Sequence, residues 1–573
     1  MLTRDFDFLK NKYHEMLLPT LLMLLSDKIC LIIDVGIIGF YIHDSTLLSS
    51  LNLASPFIYF LGVIYTLFGV GGSLMALRAK SLQDDEKANH YFTVAIFGVI
   101  IFTLIYIAFD LMLGNEIILR LHGHLEPFVL DTFSTYLNTI VFYFPFNAYI
   151  LTLGYFARSD GYPQLPFISL LIANISNMLF SILFMGVFHM GVEGSVFGSI
   201  IGYAIGAVYI STYFFKENRD FFITITDNMQ KSIKSVIEFV LNTPEIISRL
   251  FLTAKIGFYT TVCSAFYGSV GLMAFLVYDN SETVVYMFVS AIGKVMSPIV
   301  AVFYKEKDYE SVEFIVRRSI REILILSIPV SIIFAVYPEI FTTFLTLDDP
   351  AEIEVVCNVL RITSLGLVGR CLSLILSNYT QAIEENRLSS VMNLSEEFIF
   401  AFGGAIILTS MWGPVGIWYS LVLADIVPVI IYTITAALYR KKNKDRIKSM
   451  LLLSETNTVT WTYERGYEEI DHYLHDEKKE FVLKLEEMIN KKSPDITFFI
   501  DEISENIINK SKINTIDVIV RYLEDTITIT ATYQGKLNNP ITDEINEKLE
   551  ELNCSFEYSP ILGYNRAYIN IPL

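Results

Sequence analysis

The stretch FIFAFGGAIILTSMWGPVGIWYSLVLA, residues 398–424, runs for 27 residues without a charged side chain and is punctuated only by Gly413-Pro414. A helix crosses the bilayer core in roughly 20 apolar residues. The stretch therefore reads as parts of two crossings that meet at a glycine-proline break. Phe57–Leu77 and Phe92–Phe109 are equally free of charge. With 53% apolar side chains in 573 residues and a mean hydropathy of +0.48, the chain reads as a polytopic α-helical membrane protein. Apolar runs set against their breakers predict twelve spans, near residues 15–41, 50–79, 90–113, 129–156, 162–187, 191–215, 246–276, 283–304, 314–338, 353–381, 388–411 and 414–439.

Charge gives these spans an orientation, because Lys and Arg favour cytoplasmic loops. With the first residue inside, the inner loops and flanks hold 24 basic residues, among them Arg78, Lys80, Lys216, Arg219, Lys305, Lys307 and the cluster Arg440-Lys441-Lys442. The outer loops hold Arg120 alone. This bias predicts a multi-pass protein of the plasma membrane with both termini cytoplasmic. Arg4, Lys10 and Lys12 precede the first apolar run and no small-residue cleavage site follows it, which predicts an uncleaved first span. Cys30, Cys263, Cys357, Cys371 and Cys554 show no CxxC spacing, so neither a disulfide framework nor a metal site is expected.

The chain also repeats itself. At an offset of 224 the loop Asp84-Asp85-Glu86 falls on Asp308-Tyr309-Glu310, Ser73 on Ser297 and Tyr155 on Tyr379. Two six-helix lobes in the same orientation form a parallel pseudo-repeat, whose substrate site is expected between them near the membrane midplane. The boundaries are residues 1–218 for the first lobe, 219–245 for a polar linker and 246–441 for the second lobe. The aromatic cluster Tyr143, Phe144, Phe146 and Tyr149 could line a cavity or face lipid.

An ionisable group at bilayer depth costs about 2.5–3.5 kcal/mol on insertion scales and needs a compensating role. Lys28, Lys255, Lys294, Arg361 and Arg370 lie inside predicted spans, as do Asp27, Asp34, Glu396, Glu397 and Asp425, with Asp110 near an outer end. Asp34 follows Asp27 by seven residues, close to two helical turns, so the two share a face. As a carboxylate Asp34 could bind Na⁺ or carry a proton; the plain alternative is a static pair with Lys28 or a neighbouring hydroxyl. In the second lobe Lys294, Arg370, Glu396, Glu397 and Asp425 form a possible charge site, serving as a lobe-stabilising ion pair, a second proton site or a lure for a cationic substrate. Adjacent Glu396 and Glu397 point about 100° apart, so at most one is expected to face a cavity squarely.

The ordered fragments Asp34-Val-Gly36-Ile-Ile-Gly39, Leu53-Ala-Ser-Pro56, Gly69-Val-Gly71-Gly72-Ser73 and Asp85-Glu-Lys-Ala88 resemble the multidrug and toxic compound extrusion (MATE) transporters. Arg158-Ser-Asp-Gly161-Tyr-Pro163, Asn174, Gly191-Val-Glu-Gly194 and Gly413-Pro-Val-Gly416-Ile-Trp418 extend the resemblance over roughly residues 13–441. It implies two six-helix lobes, a central cavity, and export of drugs or metabolites coupled to Na⁺ or H⁺ entry. It further implies that Asp34 and Asn174 belong to the ion or proton site of the first lobe. The acid that many members carry four residues after that Asn is Met178 here. This shifts the expectation toward proton coupling through Asp34 or an altered ion site. A lipid-linked oligosaccharide flippase of the same superfamily is the alternative, although its cavity should be strongly basic and the charges here are mixed.

Residues 449–573 hold 23 acidic and 12 basic side chains, so this tail carries 11 of the chain's 19 net negative charges. Nucleic acid is therefore not an expected partner. Alternating and amphipathic patterns predict a strand at 459–463, helices at 467–490 and 495–510, and strands at 515–522 and 526–533, an α/β two-layer sandwich within residues 442–573. Glu502-Ile-Ser-Glu505-Asn506, Tyr533-Gln-Gly535 and Gly563-Tyr-Asn565 resemble histidine-kinase-like ATPases of the anti-sigma-factor kinase type. The resemblance implies a nucleotide site at Glu502, Asn506 and Gly535. However, Tyr533 stands where an adenine-reading Asp is expected, and no glycine-rich lid lies between Pro540 and Asn553. The expectation is a degenerate domain that binds no ATP or Mg²⁺ and regulates the transporter or docks a regulatory protein; a membrane-tethered kinase is the rival of another class. No cofactor is expected beyond the coupling ion.

Overall fold

The computed structural model describes residues 6, 9–18, 20–22, 37, 41, 54–81, 84–122, 127–160, 162, 164–216, 219–224, 229–243, 245–305, 307–340, 350–442, 449–453, 457–464, 483, 494–511, 515–523, 526–533, 540–561 and 564–572. Among them, nine helices are long and apolar enough to cross a membrane. These are α1 (Ser55–Leu77), α2 (Asp85–Gly114), α3 (Phe133–Ser159), α4 (Gln164–Val187), α5 (Gly191–Phe215), α7 (Glu245–Lys305), α8 (Tyr309–Val336), α9 (Glu352–Ala382) and α10 (Asn386–Lys442). The amphipathic α6 (Met229–Asn242) lies between α5 and α7. Polarity on these helices is inverted relative to a soluble protein. On α2, Leu104, Ile105 and Met112 are exposed while His90, Thr93, Thr103 and Asp110 are buried, as expected for helices solvated by lipid.

At 61 residues, a straight α7 would run far beyond the thickness of a bilayer. It reverses at Gly268, whose φ of 63° and ψ of −141° suit glycine alone. The fold-back is tight: a Cβ on Gly271 would sit 2.3 Å from the Cys263 carbonyl oxygen. In α10 the reversal is at Gly413, with φ 70° and ψ −160°. The expected break between spans at 277–282 is therefore misplaced: Asp279-Asn-Ser-Glu282 is helical, and its polar side chains belong to contacts inside the protein rather than to a loop.

The first lobe has one core, running from Leu61 and Phe68 through Phe92 and Phe156 to Tyr213. Phe144 is buried in it and stacks on Tyr106 at 5.7 Å, with Tyr143, Phe146 and Tyr149 packed against the same cluster. Those aromatics thus build the lobe's core. The second lobe's core takes in α7 through α10 and, unexpectedly, Leu9 and Tyr13. Tyr13 donates to Glu322 Oε2 at 2.7 Å and Phe6 stacks on Phe314 at 4.4 Å, so residues 9–18 pack with the second lobe although the repeat places them in the first.

Beyond α10, Leu451 and Leu453 are buried in the second-lobe core. Tyr379 donates to the Leu451 carbonyl and Tyr432 to that of Met450. The tail then forms an antiparallel sheet in the order β1-β2-β3-β5-β4, from β1 (Asn457–Glu464), β2 (Thr515–Leu523), β3 (Thr526–Tyr533), β4 (Ser555–Ile561) and β5 (Tyr564–Pro572). Helix α11 (Pro494–Ser511) shares a core with one sheet face, where Phe499 and Ile503 meet Val518, Ile529 and Ile569. The short α12 (Asp543–Glu551) fills the place between β3 and β4 where the nucleotide lid was sought. The helix expected at 467–490 lies, apart from Leu483, outside the described residues.

Candidate functional site

Four carboxyls and two cations meet inside the second lobe. The two limbs of α7 contribute Lys255 and Glu282, α9 contributes Arg370, and α10 contributes Glu396 and Glu397 before its turn and Asp425 after it. Lys255 Nζ lies 2.7 Å from Glu397 Oε2. Arg370 Nη1 lies 2.9 Å from Glu282 Oε2 and 3.7 Å from Asp425 Oδ1. Ser373 donates to Glu396 Oε2 at 2.5 Å. Glu396 and Glu397 sit in a wide π-helical turn, Ser395–Gly403, and both are used, one toward α9 and the other toward α7.

Asp425 is the least satisfied of the group. It is 1% exposed, and neither carboxyl oxygen has a hydrogen-bond partner among the described residues. Its neighbouring cation is already bound more closely to Glu282. Gly366 makes the approach possible, since a Cβ there would stand 2.6 Å from Asp425 Oδ2. If every group ionised, four carboxylates against two cations would leave two uncompensated negative charges in a medium where Coulomb energies are several-fold larger than in water. Such a cluster can take up positive charge, as protons or as a cation.

The sequence singled out Arg370, Glu396, Glu397 and Asp425, and the fold brings these four together. Lys294 lies on an exposed part of α7. Lys255 and Glu282 complete the group instead. Glu282 was missed because the polar run around it resembles a loop; its spacing of three from Asp279, which puts two acids on one helix face, was the available signal. Asp279 accepts a hydrogen bond from Tyr59 of α1 at 3.3 Å, a contact between the lobes.

In the first lobe, Asp34 and Lys28 lie outside the described residues. Asn174 is buried and accepts from the Tyr203 hydroxyl at 3.1 Å. One turn on, Asn177 Oδ1 accepts from Ser181 at 3.0 Å and Ser199 at 3.2 Å. Met178 is half-buried beside this polar strip. Asp110 opens another wide turn, Asp110–Gly114, fully buried and with neither oxygen hydrogen-bonded among the described residues.

In the tail, Glu502 and Asn506 share a face of α11 and are half-buried, while Gly535 lies outside the described residues. Tyr533 is fully buried in the tail core, and burial pushes its hydroxyl well above the ordinary tyrosine value. An aromatic ring therefore fills the position where an adenine-binding carboxylate was sought.

These lobes match a known family. The MatE family model aligns with residues 19–183 and 245–404, more than half of the chain. The chain belongs to the MatE family. Members of this family are transporters rather than enzymes, and no part of the tail is included in the match. The chain is 23% identical over 414 residues to the multidrug export protein MepA of Staphylococcus aureus, covering 71% of this chain and 89% of that one. It is 22% identical over 418 residues to the same-named protein of Staphylococcus haemolyticus, with 72% and 89% covered. An inward-facing multidrug resistance MATE transporter superposes with a TM-score of 0.64 at 15% identity, covering 76% of this chain and 98% of that chain. A transporter of the same superfamily from Pyrococcus furiosus, described as having a binding pocket of reversed polarity, gives 0.60 at 16% identity, with 76% and 96% covered. At such identities these likenesses establish the fold.

Proposed function

We propose that this MatE transporter is a secondary active exporter of cationic or amphipathic small molecules, driven by entry of protons or Na⁺. It has twelve spans and both termini in the cytoplasm. The multidrug export role of the MepA relatives and the asymmetric charge of the loops support this reading. The observation that carries it is the buried charge group around Asp425, in which acids outnumber bases and one carboxyl lacks any hydrogen bond among the described residues. Protons or a cation entering this group neutralise its excess; a cationic substrate competes for the same charge. Asp34 and Asn174 form the corresponding site of the first lobe. The tail is a histidine-kinase-like domain that has lost nucleotide binding and serves regulation.

The test uses the purified protein in proteoliposomes, loaded with a fluorescent lipophilic cation and placed under an imposed ΔpH or Na⁺ gradient. Gradient-driven movement against the substrate's own gradient is expected. Movement that ignores both gradients would remove the antiport mechanism.

A further inference from the structure

Strand residues alternate between the two faces of a sheet, and the tail's sheet hides both. One face holds the apolar core shared with α11. The other carries Asp517, Arg521, Thr528, Thr530, Thr532 and Arg566 around one apolar residue, Ile519; these seven are at most 8% exposed, and Tyr568 and Asn570 on the same face are half-buried. A polar sheet face in a domain with helices on the opposite side is ordinarily left to water; here it is covered. Arg521 supplies the direction of the cover. It is 1% exposed, and its Nη2 lies 4.0 Å from Oδ2 of Asp308, which is 2% exposed, at the corner between α7 and α8 of the second lobe. The same Asp308 caps α8, accepting from the Ser311 amide at 3.3 Å and its hydroxyl at 2.7 Å.

The internal repeat explains why something sits there. Asp84 is the counterpart of Asp308 and caps α2 in the same way, accepting from the Lys87 amide at 3.0 Å. In the first lobe this corner is closed by the linker helix α6. Tyr91 donates to Glu238 at 2.5 Å, His90 meets Ser235 at 3.0 Å and Lys231 lies 3.9 Å from Glu86. The second lobe is followed by the tail, and Leu451 and Leu453, held by Tyr379 and Tyr432, bring it back onto the lobe.

We infer that the polar face of the tail's sheet is a docking surface for the Asp308 corner of the second lobe, taking the place that α6 occupies on the first lobe, and that this seat controls transport. The control rests on the exporter reading proposed above; the docking does not. The tail clasps the end of a spanning helix in the lobe that carries the Asp425 group, so undocking alters the lobe's freedom to rearrange.

The test begins with Asp308→Asn in the full chain. Asparagine caps a helix as well as aspartate does, and the change lies outside the tail; its oxygen keeps the Ser311 amide bond and its amide group can donate to the Ser311 hydroxyl, while the charge facing Arg521 is lost. Docking is read in a background with Cys554→Ser and a reporter Thr528→Cys, from the rate at which a bulky maleimide labels that thiol in detergent-solubilised protein. Breaking a buried charge pair is strongly unfavourable, so labelling should rise about tenfold or more. Adding Arg521→Gln, which leaves a neutral amide pair, should bring it back toward the unmutated rate. Unchanged labelling in Asp308→Asn overturns the docking. Efflux in proteoliposomes should change in the same variant and recover in the double variant. Increased labelling with unchanged efflux overturns the control. Absent efflux from the unmutated chain defeats the exporter reading while the labelling still decides the docking.

Discussion

Replacing Asp425 by asparagine keeps the side chain's shape and removes its capacity to hold charge. Neither oxygen is hydrogen-bonded among the described residues, so the substitution breaks no hydrogen bond there, and the cost of the buried amide donor it adds is offset by the buried charge it removes. The closest charge contact of Arg370, Glu282 at 2.9 Å, remains. Folding should therefore be nearly unaffected. If Asp425 takes up the coupling cation or the substrate's positive charge, initial efflux rates should fall at least about tenfold, the equivalent of about 1.4 kcal/mol in the barrier. Proteoliposome transport, read beside size-exclusion behaviour and thermal unfolding, separates the two effects. Full transport by a well-folded Asp425→Asn would remove this residue from the mechanism. Asp110 offers a contrast in the other lobe: it is also buried and unbonded among the described residues, but no basic group among them lies within ion-pair distance of it.

At the level of elements, the turns at Gly268 and Gly413 decide where helices end. At Gly413 a Cβ would meet no atom within 4 Å, so its cost is purely conformational. Gly413→Ala should destabilise the protein by about 1–3 kcal/mol through backbone strain. Gly403→Ala is the control, since that glycine is helical, equally free of neighbours, and should be neutral or stabilising by up to about 1 kcal/mol. Thermal unfolding in detergent compares them, and equal midpoints would contradict this account of the turn. Gly413 was readable in sequence because Pro414 follows it. Gly268 was not, for it sits in an apolar run with no charge nearby, while Asp279-Asn-Ser-Glu282 imitates a loop. Periodicity likewise does not mark which face of a membrane helix turns to a lobe's interior, since both faces are largely apolar, and Lys294 is exposed rather than buried. Strands β1, β2 and β3 were plain from alternation alone, while β4 and β5 were not predicted, and the burial of the sheet's polar face is not written in any local pattern.

On the scale of the whole molecule, the two lobes are less separate than their repeat suggests. Residues 9–18 pack in the second lobe's core, and Tyr59 of the first lobe donates to Asp279 of the second. Alternating access in a repeat transporter needs the lobes to rock about the site, so a hydrogen bond between them favours the state in which it forms. Tyr59→Phe deletes the donor and preserves the ring. At 3.3 Å this bond contributes about 1 kcal/mol, which corresponds to about a fivefold change in the ratio of the two states. Spin labels at the exposed Glu86 and Arg387, one on each lobe, would report that ratio as two distance populations. The expected result is depletion of the population in which Tyr59 and Asp279 touch, with a smaller depletion for Asp279→Asn, which keeps an acceptor. If Tyr59→Phe leaves the distribution unchanged, the contact accompanies the lobe arrangement without helping to set it. In that case the bias must lie in the other contacts that tie the two halves of the chain together, among them, in the described residues, the Tyr13–Glu322 bond.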